Sequence, residues 1–219
     1  MQATLANSAA GMYVMNITIR NLGYVLHVKL VNGNLMAKKE MIVLVDKNDK
    51  KIGLEEKLKA HEGKGKLHRA ISIFVFNKKG ELMVQRRAFS KYHSKGQWAN
   101  TCCTHPHDKE TILHAGHRRL KYEMGFDCKL QEVLSFIYHA DVGENLRENE
   151  YDHVLFGFYE KSAKPNPEEV SDWKFVDTKK LVTDMDKNPN KYAPWFRIII
   201  KRALKRYDYL KKHKNLNIQ

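Results

Sequence analysis

The sequence lacks the features that would place it in several common protein classes. Only three of its 219 residues are cysteines and two of these are adjacent, which does not suit the disulfide framework of a small secreted protein. No apolar run approaches the roughly 20 residues that a membrane-spanning helix needs. Internal repeats and low-complexity tracts are also missing. These absences favour a globular protein of a reducing compartment, and we expect a cytoplasmic location.

Acidic residues are scarce relative to basic ones, and much of the imbalance lies near the end of the chain. The net charge is +14, from 39 Lys and Arg against 25 Asp and Glu. Residues 197–219 hold eight basic side chains and one acid, Asp208. Such a segment could meet nucleic acid or an acidic membrane, but a solvated helix face is the commoner explanation. We therefore expect no nucleic-acid partner, no membrane span, and a monomer or weak dimer.

A change of character near residue 40 divides the chain. Strand-like runs at 12–19 and 24–31 are followed by the turn residues Asn32-Gly33-Asn34. No basic start precedes an apolar core and a small-residue cleavage site, so we expect no secretory signal. We interpret residues 1–40 as an N-terminal extension of unknown role. Residues 41–219 are predicted to form the functional domain, which includes the basic C-terminal helix.

Apolar runs bounded by turn residues predict the strands of this domain. Six runs qualify: 41–45, 70–76, 81–86, 134–138, 153–159 and 173–176. The turn Asn77-Lys78-Lys79-Gly80 predicts that the second and third of these form a hairpin. The strands alternate with helical patterns, which indicates an α/β fold with a mixed sheet.

Three helices are predicted in the same domain. The first runs from about residue 109 toward Gly125, the second begins near residue 181, and the third follows Tyr192. In the third, apolar residues recur at helical spacing and predict an amphipathic helix: Phe196, Ile200, Tyr207 and Leu210. We expect one helix under the sheet and the C-terminal helix across it.

The stretch 98–126 concentrates chemically capable side chains. Cys103 and His105 are two residues apart in an extended segment, which places both side chains on one face. The predicted helix and its approach add four charged residues: Glu110, Arg118, Arg119 and Glu123. Glutamates beside a cysteine and a histidine favour a functional site over a plain surface helix.

Other segments supply residues of compatible chemistry. Glu148 and Glu150 are two apart at a strand start, so both carboxylates face one side, an arrangement that favours a bound cation over an exposed acidic edge. His61 and His68 flank a glycine-containing loop, and spacing alone leaves them as either ordinary histidines or ligands. The basic cluster Arg86, Arg87 and Lys91 could be solvated or could bind phosphate.

The central stretch resembles a degenerate Nudix signature. That signature reads Gly, five residues, Glu, seven residues, Arg-Glu-apolar, one residue, Glu-Glu, one residue, Gly-apolar. The matching positions are Glu110, Arg118, Leu120, Glu123 and Gly125-Phe126, whereas Thr104, Arg119 and Tyr122 replace a glycine and two metal-binding glutamates. With Cys-x-His-Pro before it and Arg-Arg-x-x-Tyr-Glu-x-Gly inside it, the region 41–204 is similar to the type I isopentenyl-diphosphate delta-isomerases.

The resemblance implies a fold, a reaction and site residues. The fold would be a Nudix α/β/α sandwich, and the reaction the conversion of isopentenyl diphosphate, a small-molecule isoprenoid diphosphate, to dimethylallyl diphosphate without flavin. One divalent metal (Mn, Zn or Mg) would be held by His61, His68, His105, Glu148 and Glu150. Catalysis would use Cys103, Glu150, Tyr138 and Trp195. A Mg²⁺ ion with the substrate would involve Glu123 and the backbone of Cys103, and the diphosphate ligands would be Lys57, Arg87, Lys91 and Arg119.

Two other functions remain as alternatives. A Nudix-type hydrolase of a nucleoside diphosphate derivative is disfavoured by the glutamates lost at Arg119 and Tyr122. A basic RNA-associated binding protein with a decayed site is disfavoured by the intact set of Cys103, His105 and the paired glutamates.

Overall fold

The computed structural model describes residues 39–91 and 93–216, together with the backbone of four strands ahead of them. These strands are β1 (Gln2–Asn7), β2 (Tyr13–Asn21), β3 (Tyr24–Val31) and β4 (Asn34–Ala37). They form an antiparallel sheet in chain order, and β2 and β3 match the two predicted strands. The turn predicted at 32–34 lies largely outside the described residues. The role of residues 1–40 stays a prediction.

A nine-stranded mixed sheet forms the rest of the β structure. Its strands are β5 (Met41–Val45), β6 (Lys51–Glu56), β7 (His68–Phe76), β8 (Leu82–Arg87), β9 (Trp98–Ala99), β10 (Cys102–Thr104), β11 (Leu130–Gly143), β12 (Leu146–Phe158) and β13 (Val170–Val176). The main path is β11-β12-β7-β5-β6, in which only β12 and β7 are parallel. Strand β7 also pairs with β8 and β10, so it is the centre of the sheet.

Helices cover both faces of this sheet. They are α1 (Lys57–His61), α2 (Ile112–Met124), α3 (Thr178–Lys187) and α4 (Pro194–Lys212), with a short 3-10 helix at Pro189–Lys191. Alternate residues of β7 belong to two cores: Ile73 packs with the apolar face of α2, and Phe74 packs with α3 and α4. The predicted α/β/α sandwich is confirmed, and the apolar residues predicted for the amphipathic C-terminal helix are buried in α4.

Local chemistry explains where α2 begins and ends. The hydroxyl of Thr111 accepts a hydrogen bond from the backbone N–H of His114 at 3.2 Å, so the helix begins a little later than the predicted residue 109. Gly125 ends the helix with φ of 71°, a conformation that favours glycine. A Cβ atom there would lie 2.1 Å from the carbonyl oxygen of Lys164. Gly125 therefore lets the 163–170 segment pack closely against the end of α2.

The predicted hairpin at 70–86 is present only at its turn. Strands β7 and β8 share one residue pair, Phe76 with Leu82, and β8 is paired mainly with β13. The hydroxyl of Thr101 separates the two strands because it accepts from the backbone N–H of Val75 and donates to the carbonyl of Met83. The hydrogen bonds of the Thr101 side chain thus take the place of backbone hydrogen bonds expected between β7 and β8 in the predicted hairpin.

Candidate active site

Three neighbouring strands align three site side chains in a row. Tyr138 lies opposite Glu150 in the β11–β12 pair, and Glu150 lies opposite His68 in the β12–β7 pair. The hydroxyl of Tyr138 donates to Oε2 of Glu150 at 2.5 Å, and Nε2 of His68 is 3.5 Å from Oε1. Burial by itself raises the pKa of Glu150, but the contacts with His68 and Tyr138 outweigh it and hold the pKa below the usual glutamate value. The sheet register therefore fixes the surroundings of this carboxylate.

Two further histidines and a second carboxylate complete a cluster. His61 is the last residue of α1, and its Nε2 lies 2.9 Å from Oε2 of Glu148. His105 follows β10, and its Nε2 lies 3.2 Å from Oε1 of Glu150. One ligand atom each from His61, His68, His105 and Glu150 lies within 4.8 Å of the others. The cluster is compact enough to share one cation.

The hydrogen bonds behind these side chains fit a metal-binding role. The Nδ1–H groups of His61 and His68 donate to the carbonyl oxygens of Lys57 and Lys66, at 2.6 and 2.8 Å. Because a carbonyl only accepts, both rings present Nε2 to the cluster, as metal-binding histidines do. Nε2 of His68 is buried and lacks a hydrogen-bond partner in the described structure, and Nε2 of His61, whose Nδ1–H is already used, faces Oε2 of Glu148 as a second acceptor. Unpaired buried acceptors of this kind suit a divalent cation.

The pleat of β10 decides which of the two adjacent cysteines reaches the pocket. Cys103 pairs with Ser72 of β7, and its sulfur lies 3.1 Å from Nδ2 and 3.3 Å from Oδ1 of Asn100. Cys102 points to the opposite face and is fully buried in the core beneath α2. Burial raises the pKa of the Cys103 thiol well above its usual value. Cys103 is therefore a protonated thiol at neutral pH.

Basic side chains line the same pocket. Lys57 Nζ lies 3.1 Å from Glu40, and Lys91 Nζ lies 2.7 Å from Glu169. The guanidinium of Arg119 contacts Glu123 and Glu169, each at 2.6 Å. These cations are partly balanced by carboxylates and still line the pocket.

The structure brings together the site residues that the family resemblance implies. Of these thirteen residues, eleven line one pocket. The other two are close to it: His68 is fully buried and belongs to the cation cluster, and Glu123 on α2 touches Arg119. This placement concerns geometry, and the role of each residue stays a prediction.

Comparisons with known proteins agree with this arrangement. The NUDIX domain model matches residues 66–196. The chain is 52% identical over 161 residues to "Isopentenyl-diphosphate Delta-isomerase 2" of Photorhabdus laumondii, covering 74% of this chain and 90% of that protein. It is 46% identical over 165 residues to the protein of the same name in Aromatoleum aromaticum, covering 75% and 87%. The chain belongs to the isopentenyl-diphosphate Delta-isomerase family, within the Nudix group.

Solved structures support the fold of this family member. DR0079 from Deinococcus radiodurans superposes with a TM-score of 0.63 at 16% identity, covering 74% of this chain and 98% of that one. A MutT protein from Methanosarcina mazei gives 0.51 at 17% identity, covering 62% and 91%. At such low identity these likenesses establish the Nudix fold alone. Within the described residues, the helices of this isomerase-family chain are too short or too polar to cross a bilayer.

Glu110 and Arg118 of the degenerate Nudix box form an ion pair outside the pocket lining. Glu110 accepts two hydrogen bonds from the guanidinium of Arg118, both at 2.8 Å, and another from the backbone N–H of His107. This ion pair joins the segment before α2, which contains Glu110, to Arg118 on the helix itself. At the replaced positions, the guanidinium of Arg119 lies 5.1 Å from the ring centroid of Tyr122. The box has thus exchanged two carboxylates for a stacked cation and aromatic ring.

Sequence reasoning missed several residues at or beside this site, among them Glu40, which lines the pocket next to Lys57. His93 lies edge-on to Trp195, with ring centroids 5.4 Å apart, and burial together with Arg87 lowers its pKa to about 3. Glu169 contacts Arg119 across 50 positions of sequence. Neither residue belongs to a local motif, so only the packing of distant segments places them at the pocket.

Proposed function

We propose that this protein interconverts isopentenyl diphosphate and dimethylallyl diphosphate. The observation that carries the proposal is one pocket that holds a thiol, a carboxylate cluster and four basic side chains. The curated relatives named as isopentenyl-diphosphate Delta-isomerases support the same reaction. The thiol and carboxylate can exchange protons with an alkene, while the basic side chains can hold a diphosphate.

Proton exchange is assigned to Cys103 and Glu150. Their strands, β10 and β12, lie on either side of β7, so the two groups approach the pocket from different directions. The reaction adds a proton to one carbon and removes a proton from another. One of the pair donates while the other accepts, and the roles exchange in the reverse direction. Tyr138 holds Glu150 in place through its hydroxyl.

Trp195 is assigned to stabilise the cation formed by protonation. Its ring is 4% exposed, and the guanidinium carbon of Arg87 lies 5.0 Å from the ring centroid, which supports a π face accessible to positive charge. A cation over an indole face is stabilised by about 2 kcal/mol or more when water is excluded. The buried ring would also keep water from the cation.

The diphosphate is assigned to the basic side chains of the pocket. Lys57, Arg87, Lys91 and Arg119 would bind its oxygens, with Mg²⁺ held by Glu123 and the backbone of Cys103. Fixing the diphosphate there would orient the alkene between the proton-exchanging groups, which is catalysis by positioning. We also propose that residues 41–219 form the catalytic domain and that residues 1–40 are an extension to it.

The His/Glu cluster is assigned one divalent metal: Mn, Zn or Mg. Such a metal would supply positive charge that orders the carboxylates and polarises Glu150. The five ligands would be His61, His68, His105, Glu148 and Glu150. We propose no flavin, because proton exchange by these side chains requires no electron transfer.

Isotope incorporation tests the proposed reaction. In deuterated water, the protein should convert isopentenyl diphosphate to dimethylallyl diphosphate that carries deuterium from solvent, and it should release no phosphate. Mass spectrometry of the product and a phosphate assay measure the two outcomes. Phosphate release would identify a hydrolase. Formation of neither dimethylallyl diphosphate nor phosphate would favour a binding protein. Product without deuterium, or turnover that needs reduced flavin, would contradict protonation.

Loss of the metal ligands should remove a bound ion. We expect the purified protein to retain about one divalent ion through dialysis, since histidine and carboxylate ligands together bind such ions tightly. His61→Ala and Glu148→Gln should each lose it, as measured by elemental analysis. His213→Ala, at an exposed position beyond α4, is the control and should keep the ion. Full occupancy in both site variants would overturn the proposed ligand set.

A further inference from the structure

Glu169 connects the two segments that carry part of the proposed diphosphate site. Its side chain is 12% exposed, and the same oxygen, Oε2, lies 2.7 Å from Nζ of Lys91 and 2.6 Å from Nη2 of Arg119. Lys91 lies in the loop after β8, whereas Arg119 lies on α2. One carboxylate oxygen therefore joins two cations from different parts of the fold.

Backbone hydrogen bonds hold Glu169 in this position. The N–H of Ala88 donates to the carbonyl of Glu169 at 2.9 Å, which attaches it to the loop that carries Lys91. The N–H of Asn166 donates to the carbonyl of Glu123 at 2.8 Å, which attaches the same segment to the end of α2. The N–H of Glu169 itself donates to the carbonyl of Asn166 at 3.0 Å. The carboxylate is thus placed by the fold rather than by a flexible surface loop.

The charges around Lys91 show what Glu169 counteracts. Burial is the largest effect and lowers the pKa of Lys91, and the positive charges of Arg87 on β8 and Arg119 on α2 lower it further. Glu169 is the strongest opposing influence, followed by Glu123 on α2. Without Glu169, the largely buried ammonium of Lys91 would have mainly Glu123 to oppose the two guanidinium groups.

We propose that Glu169 is a positioning residue that holds the Lys91 ammonium and the Arg119 guanidinium together so that both face the substrate diphosphate. The proposal rests on the proposed function, since it assigns Lys91 and Arg119 to diphosphate binding. Glu169 acts through these two side chains and takes no part in proton exchange. A simple charge argument makes the opposite prediction, because removing an anion from an anion site strengthens binding. The sign of the effect therefore decides between positioning and competition.

Glu169→Gln keeps the shape of the side chain and removes its charge. We expect at least a tenfold weaker affinity for inorganic pyrophosphate in the presence of Mg²⁺, measured by calorimetry. The loss of pyrophosphate affinity should be larger at higher pH. Without the charge of Glu169, Lys91 releases its proton more readily than in the parent protein. In steady-state turnover the KM for isopentenyl diphosphate should rise while kcat changes little. Glu169→Asp keeps the charge and should restore much of the affinity and the parent pH profile.

Two further variants keep the test decisive. Glu160→Gln removes the same charge where the carboxylate pairs with Lys78, and should leave pyrophosphate affinity unchanged. In a Lys91→Met background, Glu169→Gln should weaken pyrophosphate binding less than it does alone, because the two residues act together. Unchanged or tighter pyrophosphate binding by Glu169→Gln, or an equal effect in both backgrounds, would overturn the proposal.

The binding measurement separates this proposal from the proposed function. Pyrophosphate affinity needs no turnover, so it can be measured whether or not the protein isomerises isopentenyl diphosphate. A parent protein that binds pyrophosphate without isomerising its substrate contradicts the proposed function but leaves the Glu169 test intact. If the parent protein isomerises its substrate but Glu169→Gln binds pyrophosphate as tightly as the parent does, only the positioning role is contradicted.

Discussion

Glu150→Gln should lower isomerisation turnover by about 10²–10⁴-fold, the range typical for loss of a general acid or base. The amide keeps the volume of the side chain and can still accept the hydrogen bond from Tyr138, which is 2.5 Å long in the parent. It cannot carry a proton between substrate and protein. Steady-state conversion of isopentenyl diphosphate measures the loss.

Controls must separate proton exchange from metal binding, since Glu150 is assigned to both. Elemental analysis of Glu150→Gln reports whether the ion is kept. Tyr138→Phe removes only the hydroxyl that holds Glu150, and should lower turnover by about tenfold, the equivalent of about one hydrogen bond to a charged group. Glu132→Gln, on the same sheet but paired with His153, should be nearly normal. Turnover near the parent value in Glu150→Gln would end the assignment.

Cys103→Ala should cause a loss of similar size. The thiol is half-buried, its surroundings raise its pKa, and it lies in the pocket beside the amide of Asn100. Alanine removes the proton-exchanging group with little change in shape. The matched control is Cys102→Ala, one residue away but directed into the core beneath α2, and it should keep near-normal turnover. The two variants differ only in the face of β10 on which the change falls.

A substrate-like electrophile tests the same assignment without a mutation. An epoxide of the isopentenyl unit should be opened by the sulfur of Cys103, which forms a C–S bond while the ring oxygen takes a proton. Peptide mapping should place the label on Cys103 and find Cys102 and Cys128 unmodified. The contrary interpretation is that Cys103 is a small buried apolar residue, as free cysteines often are. A label on Cys102, or an active Cys103→Ala, would decide for that interpretation.

Local sequence patterns predict the fold class, and the family resemblance adds most of the residues that line the pocket. Continuous apolar runs bounded by turn residues identified β5, β7 and β12, because a central strand such as β7 is buried on both faces. Apolar residues at helical spacing identified α4, because that helix buries one face. Spacing of two residues on one strand placed Glu148 and Glu150 together. The degenerate box, with arginine and tyrosine where glutamates stand, indicates the family from local sequence.

Other features depend on contacts between distant segments and follow only from the packed fold. The alignment of Tyr138, Glu150 and His68 follows from the register of three strands, which no local pattern encodes. The Thr101 hydroxyl that separates β7 from β8 overrode the predicted hairpin. Glu169 reaches Lys91 across 78 positions of sequence and Arg119 across 50. Local patterns record which face of a strand or helix is buried, whereas these contacts form only when the packed sheet brings remote segments within hydrogen-bond distance.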